Sequence, residues 1–550
     1  NRPPKGHGRQ RSEMSIPVID LVVIVAYLIG VTAVGLLSVR RQRLTGEVYF
    51  LAGRALPWGI VGAALFSSNI STIHLVGLAE AGYKHGLVIG NFEWMATFTL
   101  ILLALVFAPF YYRTRIATLP EFLERRYSPA VRSIVAAMAI AAALLIHIGI
   151  SLYAGAAVFR EFFGVNVIVS IVVIAAITAI YTVVGGLRAV VITETIQAAV
   201  LLIGAVIVTG LAFAALPGHG IDSLAAFREA VKPDQLSMLQ TSNEAGYAWY
   251  AIFLGYPVLG IWYWCTDQTI VQRVLGARTE RDAQRGALFA GLLKILPVFI
   301  MVLPGVVAWV LFRDRIGADA AQTLPLLIRE LVPTGLRGLI AAALLAALMS
   351  TIAAALNSSG TLVAVDIARR LKPSLTDPQM VRIGRVSAVV VMLLAMAWST
   401  QGHRFDSIFE AINKMPAQFL APPITTVFLW GVFWRRGTRQ AALVTLALGF
   451  SLGVVAFLVD LPVVGSTQLI TEGLGVSFMM QAWWGFCICS GIFVIASLLT
   501  PAPAPEEVEG LTWATPWQVI AHGRIQGIGD PRVLAGLLLL LMAVLYAVFR

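Results

Sequence analysis

Charge is scarce in this chain. Of its 550 residues, 13% are Asp, Glu, Lys or Arg, about half the share of a soluble domain. Hydrophobic residues make up 58%, and the mean hydropathy is +0.83. No soluble core could bury so much apolar surface. Cysteine is also nearly missing: Cys265, Cys487 and Cys489 all fall in apolar stretches, which excludes a disulfide framework. The seven histidines show no paired ligand spacing and no HExxH occurs, so nothing points to a zinc enzyme. One GxSxG match, GFSLG around Ser451, lies inside an apolar run and lacks the strand-to-helix context that gives the motif meaning. Acidic residues are the scarcer sign, 29 against 40 Lys and Arg. That excess must be read against membrane topology before it is read as a nucleic-acid footprint.

What the chain does have is long apolar runs. A helix needs about 20 residues to cross a bilayer. Runs of that kind fall at 17–38, 57–82, 88–112, 130–158, 165–184, 190–215, 247–271, 286–312, 336–368, 383–400, 413–434, 440–459, 478–499 and 533–549. The expected fold class is an all-α polytopic membrane protein with about 14 transmembrane helices. Residues 1–15 read as an N-terminal tail or expression remnant, since the first Met is Met14. With the N-terminus outside, inner loops hold 24 basic residues and outer segments 10. The positive-inside rule therefore puts both termini outside a cell membrane. The +11 excess is then mostly topology, and no nucleic-acid partner is needed.

Several runs carry polar residues at a depth that lipid penalises. The second, LFSSNISTIHLVG, places Ser67, Ser68, Asn69, Ser71, Thr72 and His74 in mid-membrane. Isolated hydroxyls settle against their own helix carbonyls. Six polar residues within eight positions point instead to an interrupted helix whose freed backbone lines a cavity. The ninth run, AALLAALMSTIAAALNSSGTLVAVD, holds adjacent hydroxyls at Ser350 and Thr351 in a small-residue helix. Neutral hydroxyls beside unwound carbonyls suit a hard monovalent cation, although small-residue packing explains the same composition. Glu93, Glu194, Lys294 and Lys414 are intramembrane charges expected to line a wet pathway, with an ion pair between two of them as the alternative. Gly260 and Tyr263 lie in LGIWYWCTDQ, a second run that can break.

Five stretches carry a family resemblance: FLAGRALPWGIVGAALFSSNISTIHLVGLAEAGY, GLRAVVITETIQ, LGIWYWCTDQTIVQRVL, LLKILPVFIMVLPG and APPITTVFLWGVFW. Together they resemble the sodium/solute symporters, and among them the sodium/glucose cotransporter branch, from about Ile16 to Leu498. The resemblance implies a LeuT-type five-plus-five inverted repeat, with a ten-helix core over 55–435. One helix and its loop precede it at 16–54, and three helices follow within 436–550. It implies a transporter and no enzyme: sodium-coupled symport of a hexose-like sugar or related polyol by alternating access. Na+ would be held by the carbonyls of Ser67, Ile70 and Ala347 and the hydroxyls of Ser350 and Thr351. Sugar would meet Asn69, His74, Glu93 and Lys294, with Tyr263 as an aromatic lid and Gly260 on the same run.

Two departures from the branch matter. Its glutamine on the tenth core helix falls at Lys414 counting back from Pro422, and at Asn413 counting forward from Phe409. The segment thus carries one extra residue, expected as a bulge near Pro416. Asn413 in the cavity favours a neutral sugar, the preferred reading, whereas Lys414 there would suit an anionic sugar acid or sialic-acid-like solute. A second ion site would use Ser68 and Glu194, but Ala353 and Ala354 stand where serine oxygens are required. One sodium per sugar is expected.

Overall fold

The computed structural model describes residues 17–40, 45–241, 246–401, 414–460, 468–513, 518 and 524–550. The N-terminal tail and Asn413 lie outside the described residues. Every named element among them is a helix. The main helices are α1 (Val18–Leu37), α2 (Trp58–Asn69), α3 (Thr72–His85), α4 (Asn91–Leu102), α5 (Pro129–Ala142), α6 (Ser151–Phe163) and α7 (Val167–Ala215). They continue with α8 (Trp249–Gly260), α9 (Gln268–Leu275), α10 (Glu280–Leu293), α11 (Leu303–Ile316) and α12 (Leu336–Leu362). The last are α13 (Asp377–Ser399), α14 (Ala421–Phe433), α15 (Arg439–Val459), α16 (Phe478–Leu499) and α17 (Pro531–Val548).

Among the described residues, ten helical runs are long and apolar enough to cross a membrane, fewer than the fourteen expected. Part of the difference is that some runs are double. The 49 residues of α7 would measure about 74 Å at 1.5 Å per residue, more than twice the hydrocarbon thickness. They are two helices joined at Gly186, whose φ of 59° and ψ of −156° break the α conformation. Only glycine fits there, because a Cβ would stand 2.4 Å from the Tyr49 carbonyl oxygen.

The centre of the molecule is α12. The apolar window of its run is 94% buried, against 22% for α17. Alanines at 341–343, 346, 347 and 353–355 let it pack closely on α7, with α1 against both. The peripheral helices α15, α16 and α17 turn rows of Leu, Ile and Val outward, as lipid-facing helices do.

Two helices are interrupted at the level of this core. Between α2 and α3, Ile70 (φ −75°, ψ 108°) and Ser71 (φ −102°, ψ 173°) are extended, so the polar second run is broken as expected. After α8, which contains Pro257, the chain loosens into a π-helical segment over Ile261–Thr266 and stops at the extended Asp267. Proline removes a helix donor. Asp267 Oδ1 then caps α9 by accepting from the Thr269 N–H at 2.7 Å. Further π-helical turns occur at Ala143–Ile150 and Pro416–Leu420. The latter lies where a bulge is expected near Pro416.

Candidate functional site

Ending α2 at Asn69 leaves its last carbonyls without helical partners. Two are answered by α12. The Ser350 hydroxyl donates to the Ser67 carbonyl at 2.8 Å, and the Thr351 hydroxyl to the Ser68 carbonyl at 3.1 Å. The same hydroxyls lie 3.0 and 3.2 Å from the Ala347 carbonyl. Neutral oxygens of Ser67, Ser68, Ala347, Ser350 and Thr351 thus converge between a broken helix and its neighbour. Ser68 joins the expected set, and Ile70 supplies the extended turn beside it.

Adjoining the break is a cavity of about 130 Å³, lined by Asn69, His74, Glu93, Gly260, Tyr263 and Lys294 among others and reached by Thr351. Lys294 donates to Asn69 Oδ1 at 2.5 Å and to Glu93 Oε2. Lys294 and Glu93 are 1% and 2% exposed, and a buried charge must be paired. The Ser71 N–H donates to His74 Nδ1 at 3.1 Å. That assigns the imidazole proton to Nε2, which stands 3.9 Å from Glu93 Oε1. Donors and acceptors therefore alternate along one wall. Aromatic rings complete the lining: Tyr263 meets Trp264 edge-on at 5.1 Å and His147 at 5.9 Å, and the Lys294 ammonium lies 5.5 Å from the Trp264 ring centre. Gly260 lets α8 approach α4, since a Cβ would lie 2.7 Å from Thr99 Cγ2. Hydrogen-bonding groups facing an aromatic platform can hold a polyhydroxylated solute.

The expectation that four intramembrane charges line the pathway needs correction. Only Glu93 and Lys294 do, and they pair with each other. Lys414 stands away from the cavity, 2.7 Å from Asp460 Oδ2 and 3.0 Å from Gln468 Oε1. Glu194 is held by Arg273 through two hydrogen bonds, one of 3.2 Å from Nε, and accepts from the Ser68 hydroxyl at 2.9 Å. Glu194 and Arg273 are both fully buried. The proposed second ion site is thus occupied by a guanidinium. Arg273 reads as an inner-loop residue because it follows an apolar run, yet it folds back into the protein.

Several cavity residues escaped the sequence reading, among them His147, Ser151, Tyr256, Trp262 and Trp264. His147 Nε2 lies 2.8 Å from Asp267 Oδ2, which joins the π segment before α6 to the break before α9. The signal was present in LLIHIGIS, a histidine and a serine in an apolar run, the same kind of anomaly that exposed Glu93.

Interrupted helices that bring polar groups to a shared cavity inside an all-α polytopic bundle define the architecture of a membrane transporter. The sequence comparisons specify it. The model of the sodium:solute symporter family matches residues 49–449, and the chain belongs to that family. It is 37% identical to a sodium/mannose cotransporter from Bos taurus, over 94% of this chain and 92% of the relative. It is 33% identical to sodium/myo-inositol cotransporter 2 from Oryctolagus cuniculus, over 90% of this chain and 79% of the relative. The fold is similar to the substrate-bound, outward-open structure of a Na+-coupled sialic acid symporter. The TM-score is 0.75 at 22% identity, covering 88% of this chain and 98% of that one. These relatives are transporters, in line with the expectation that the chain is not an enzyme.

Proposed function

We propose that this protein couples the downhill entry of sodium to the uptake of a neutral hexose-like sugar or polyol, as one of the sugar and polyol cotransporters of its family. The observation that carries this reading is the helix break at Ile70–Ser71. Its carbonyls accept from the hydroxyls of Ser350 and Thr351, while Asn69 and His74 line the adjoining cavity, which Thr351 also reaches. Sodium binds at the break, through Ser67, Ile70 or Ser68, Ala347, Ser350 and Thr351. Sugar binds in the cavity, through Asn69, His74, Glu93 and Lys294, with Tyr263 over it and Gly260 beside it.

The pairing of charges favours a neutral solute over a sugar acid. Lys294 is already neutralised by Glu93, and Lys414 by Asp460, so neither offers a spare ammonium to a carboxylate. The same logic supports one sodium per sugar, because Glu194 already holds Arg273. A fourteen-helix arrangement with a five-plus-five core fits if α2–α3, α5–α6, α8–α9 and α10–α11 each count as one span, α7 as two and every other helix as one. In that frame both termini face outside the cell membrane. One charge moving through 100 mV supplies about 2.3 kcal/mol, enough for roughly 50-fold sugar accumulation before any sodium gradient is counted.

The test is uptake into proteoliposomes with and without a sodium gradient, using mannose, glucose, myo-inositol and a uronate. Sodium-dependent uptake of a neutral member, with one charge moved per sugar, is the expected result. A response confined to the uronate, or two charges per sugar, would refute the reading.

A further inference from the structure

Helix α17 lies beyond residues 49–449, the part that matches the family. Both its ends are nevertheless tied to the elements that carry the polar wall of the cavity. At its start, Arg285 Nε donates to the Gly529 carbonyl at 2.9 Å and Arg281 donates to Gln526, both from the first turns of α10. At its far end, the Tyr546 hydroxyl donates to Asn91 Oδ1 at 2.7 Å, and the Met238 N–H donates to the Phe549 carbonyl at 2.6 Å. Asn91 opens α4 and is 1% exposed. Its amide nitrogen donates to the carbonyls of Val88 and Met238 at 2.8 and 2.6 Å, so both ends of the side chain are engaged.

These contacts bracket Glu93 and Lys294. Asn91 stands two residues before Glu93 and Trp94 directly after it. Trp94 is fully buried, meets the Tyr546 ring edge-on at 5.1 Å, and directs its indole N–H to the carbonyl of Ile295 at 3.4 Å. Ile295 follows Lys294. One turn further along α4, the Thr97 hydroxyl donates to the Gly291 carbonyl of α10 at 2.9 Å, and Leu538 of α17 packs over that same glycine. The N-terminal helix α1 packs on α7 and α12 instead.

We propose that Tyr546 is a positioning residue for the substrate wall. Through Asn91 and Trp94 it sets the register of α4 on α10, and with it the reach of Glu93 and Lys294 into the cavity. The hydrogen bonds of that wall are directional and weaken steeply when misaligned, so a small slip of α4 changes what the wall can hold. Helix α17 acts as a brace laid along the two helices whose side chains form the ion pair.

The test uses the full chain in two arms. The first rests on the proposed function and measures sodium-driven sugar uptake into proteoliposomes. It compares wild type with Tyr546→Phe, which removes only the hydroxyl, and with Leu540→Ala on the lipid face of the same helix. Sugar KM is expected to rise roughly 3- to 10-fold in Tyr546→Phe, the equivalent of one net hydrogen bond. Maximal rate, sodium half-saturation and the Leu540→Ala values should stay at wild-type levels. A lower maximal rate at unchanged KM marks a merely structural role and overturns the proposal.

The second arm needs no substrate. Melting temperatures of Glu93→Gln, Lys294→Met and the double variant are measured in wild-type and Tyr546→Phe backgrounds. The non-additivity between Glu93 and Lys294 is expected to shrink by roughly half when the hydroxyl is gone. Equal non-additivity in both backgrounds overturns the proposal. A wild-type protein that takes up no sugar refutes the proposed function alone, because this second arm still reads the brace.

Discussion

Replacing Lys294 with Met measures what one buried ion pair is worth. The ammonium is 1% exposed and serves Glu93 and Asn69 at once. Without it, Glu93 keeps a buried negative charge whose nearest partner of opposite character is His74 Nε2 at 3.9 Å. Breaking such a pair from one side costs about 3–5 kcal/mol. Removing the charge as well, in Lys294→Met with Glu93→Gln, leaves a neutral amide whose unmet hydrogen bonds cost about 1–3 kcal/mol. The double variant should therefore be more stable than Lys294→Met alone by about 2 kcal/mol, read as a higher melting temperature in detergent. Neither variant should transport normally. A hydrogen bond from a charged group contributes about 1.5–3 kcal/mol, so the sugar KM of Lys294→Met should rise roughly 10- to 100-fold. A double variant no more stable than the single one would refute the idea that the two charges hold each other. An unchanged KM would remove Lys294 from the sugar site.

Ser350→Ala combined with Thr351→Ala takes away both hydroxyls that face the broken helix; sodium-dependent uptake should be abolished while the protein still folds, and unchanged uptake would reject the ion site. Burial would raise the Asp460 carboxyl, but Lys414 and the hydroxyl and N–H of Thr471 outweigh it and hold it below the usual range. A carboxyl depressed in the folded state contributes stability at neutral pH that is lost as pH falls through its folded value. Melting temperature should thus drop on acidification below about pH 4, and Asp460→Asn should blunt that drop without changing sugar KM. His147→Gln and Asp267→Asn should each weaken the link between the π segment and α9, and the double variant should be no worse than the poorer single one, because the pair is in contact; additive losses would show that the two act separately.

What the sequence disclosed and what it hid divide along a physical line. The break after Asn69 was legible because six polar side chains cannot sit in lipid on an intact helix, whatever surrounds them. The two counts toward the tenth core helix disagree by one residue around Pro416, and a π segment stands there. Both are local. The partners of Glu194 and Lys414 were not legible, since Arg273 and Asp460 sit just beyond apolar runs, where a basic or acidic residue is ordinarily solvated. Only the packing of α9 and the turn after α15 brings them inward. Asn91 and Tyr546, 455 positions apart, share no sequence pattern at all. The division of α7 was legible too, since the apolar runs at 165–184 and 190–215 part around Gly186, where one backbone rotation separates the two helices.

Ser68 and Asn69 are consecutive residues. The carbonyl of the first faces Thr351, and the side chain of the second receives Lys294. The peptide unit between them is planar and stiff, so a tilt that suits an ion on one face moves the amide on the other. Thermodynamic linkage then makes the exchange reciprocal: whatever factor sodium lends to the sugar's affinity, sugar returns to sodium's. A change in that peptide plane should alter both affinities together, while one on the far wall of the cavity leaves sodium's intrinsic affinity alone. With sodium and sugar at the sites proposed above, ion and solute affinity become two readings of one hinge, neither adjustable at this point without the other.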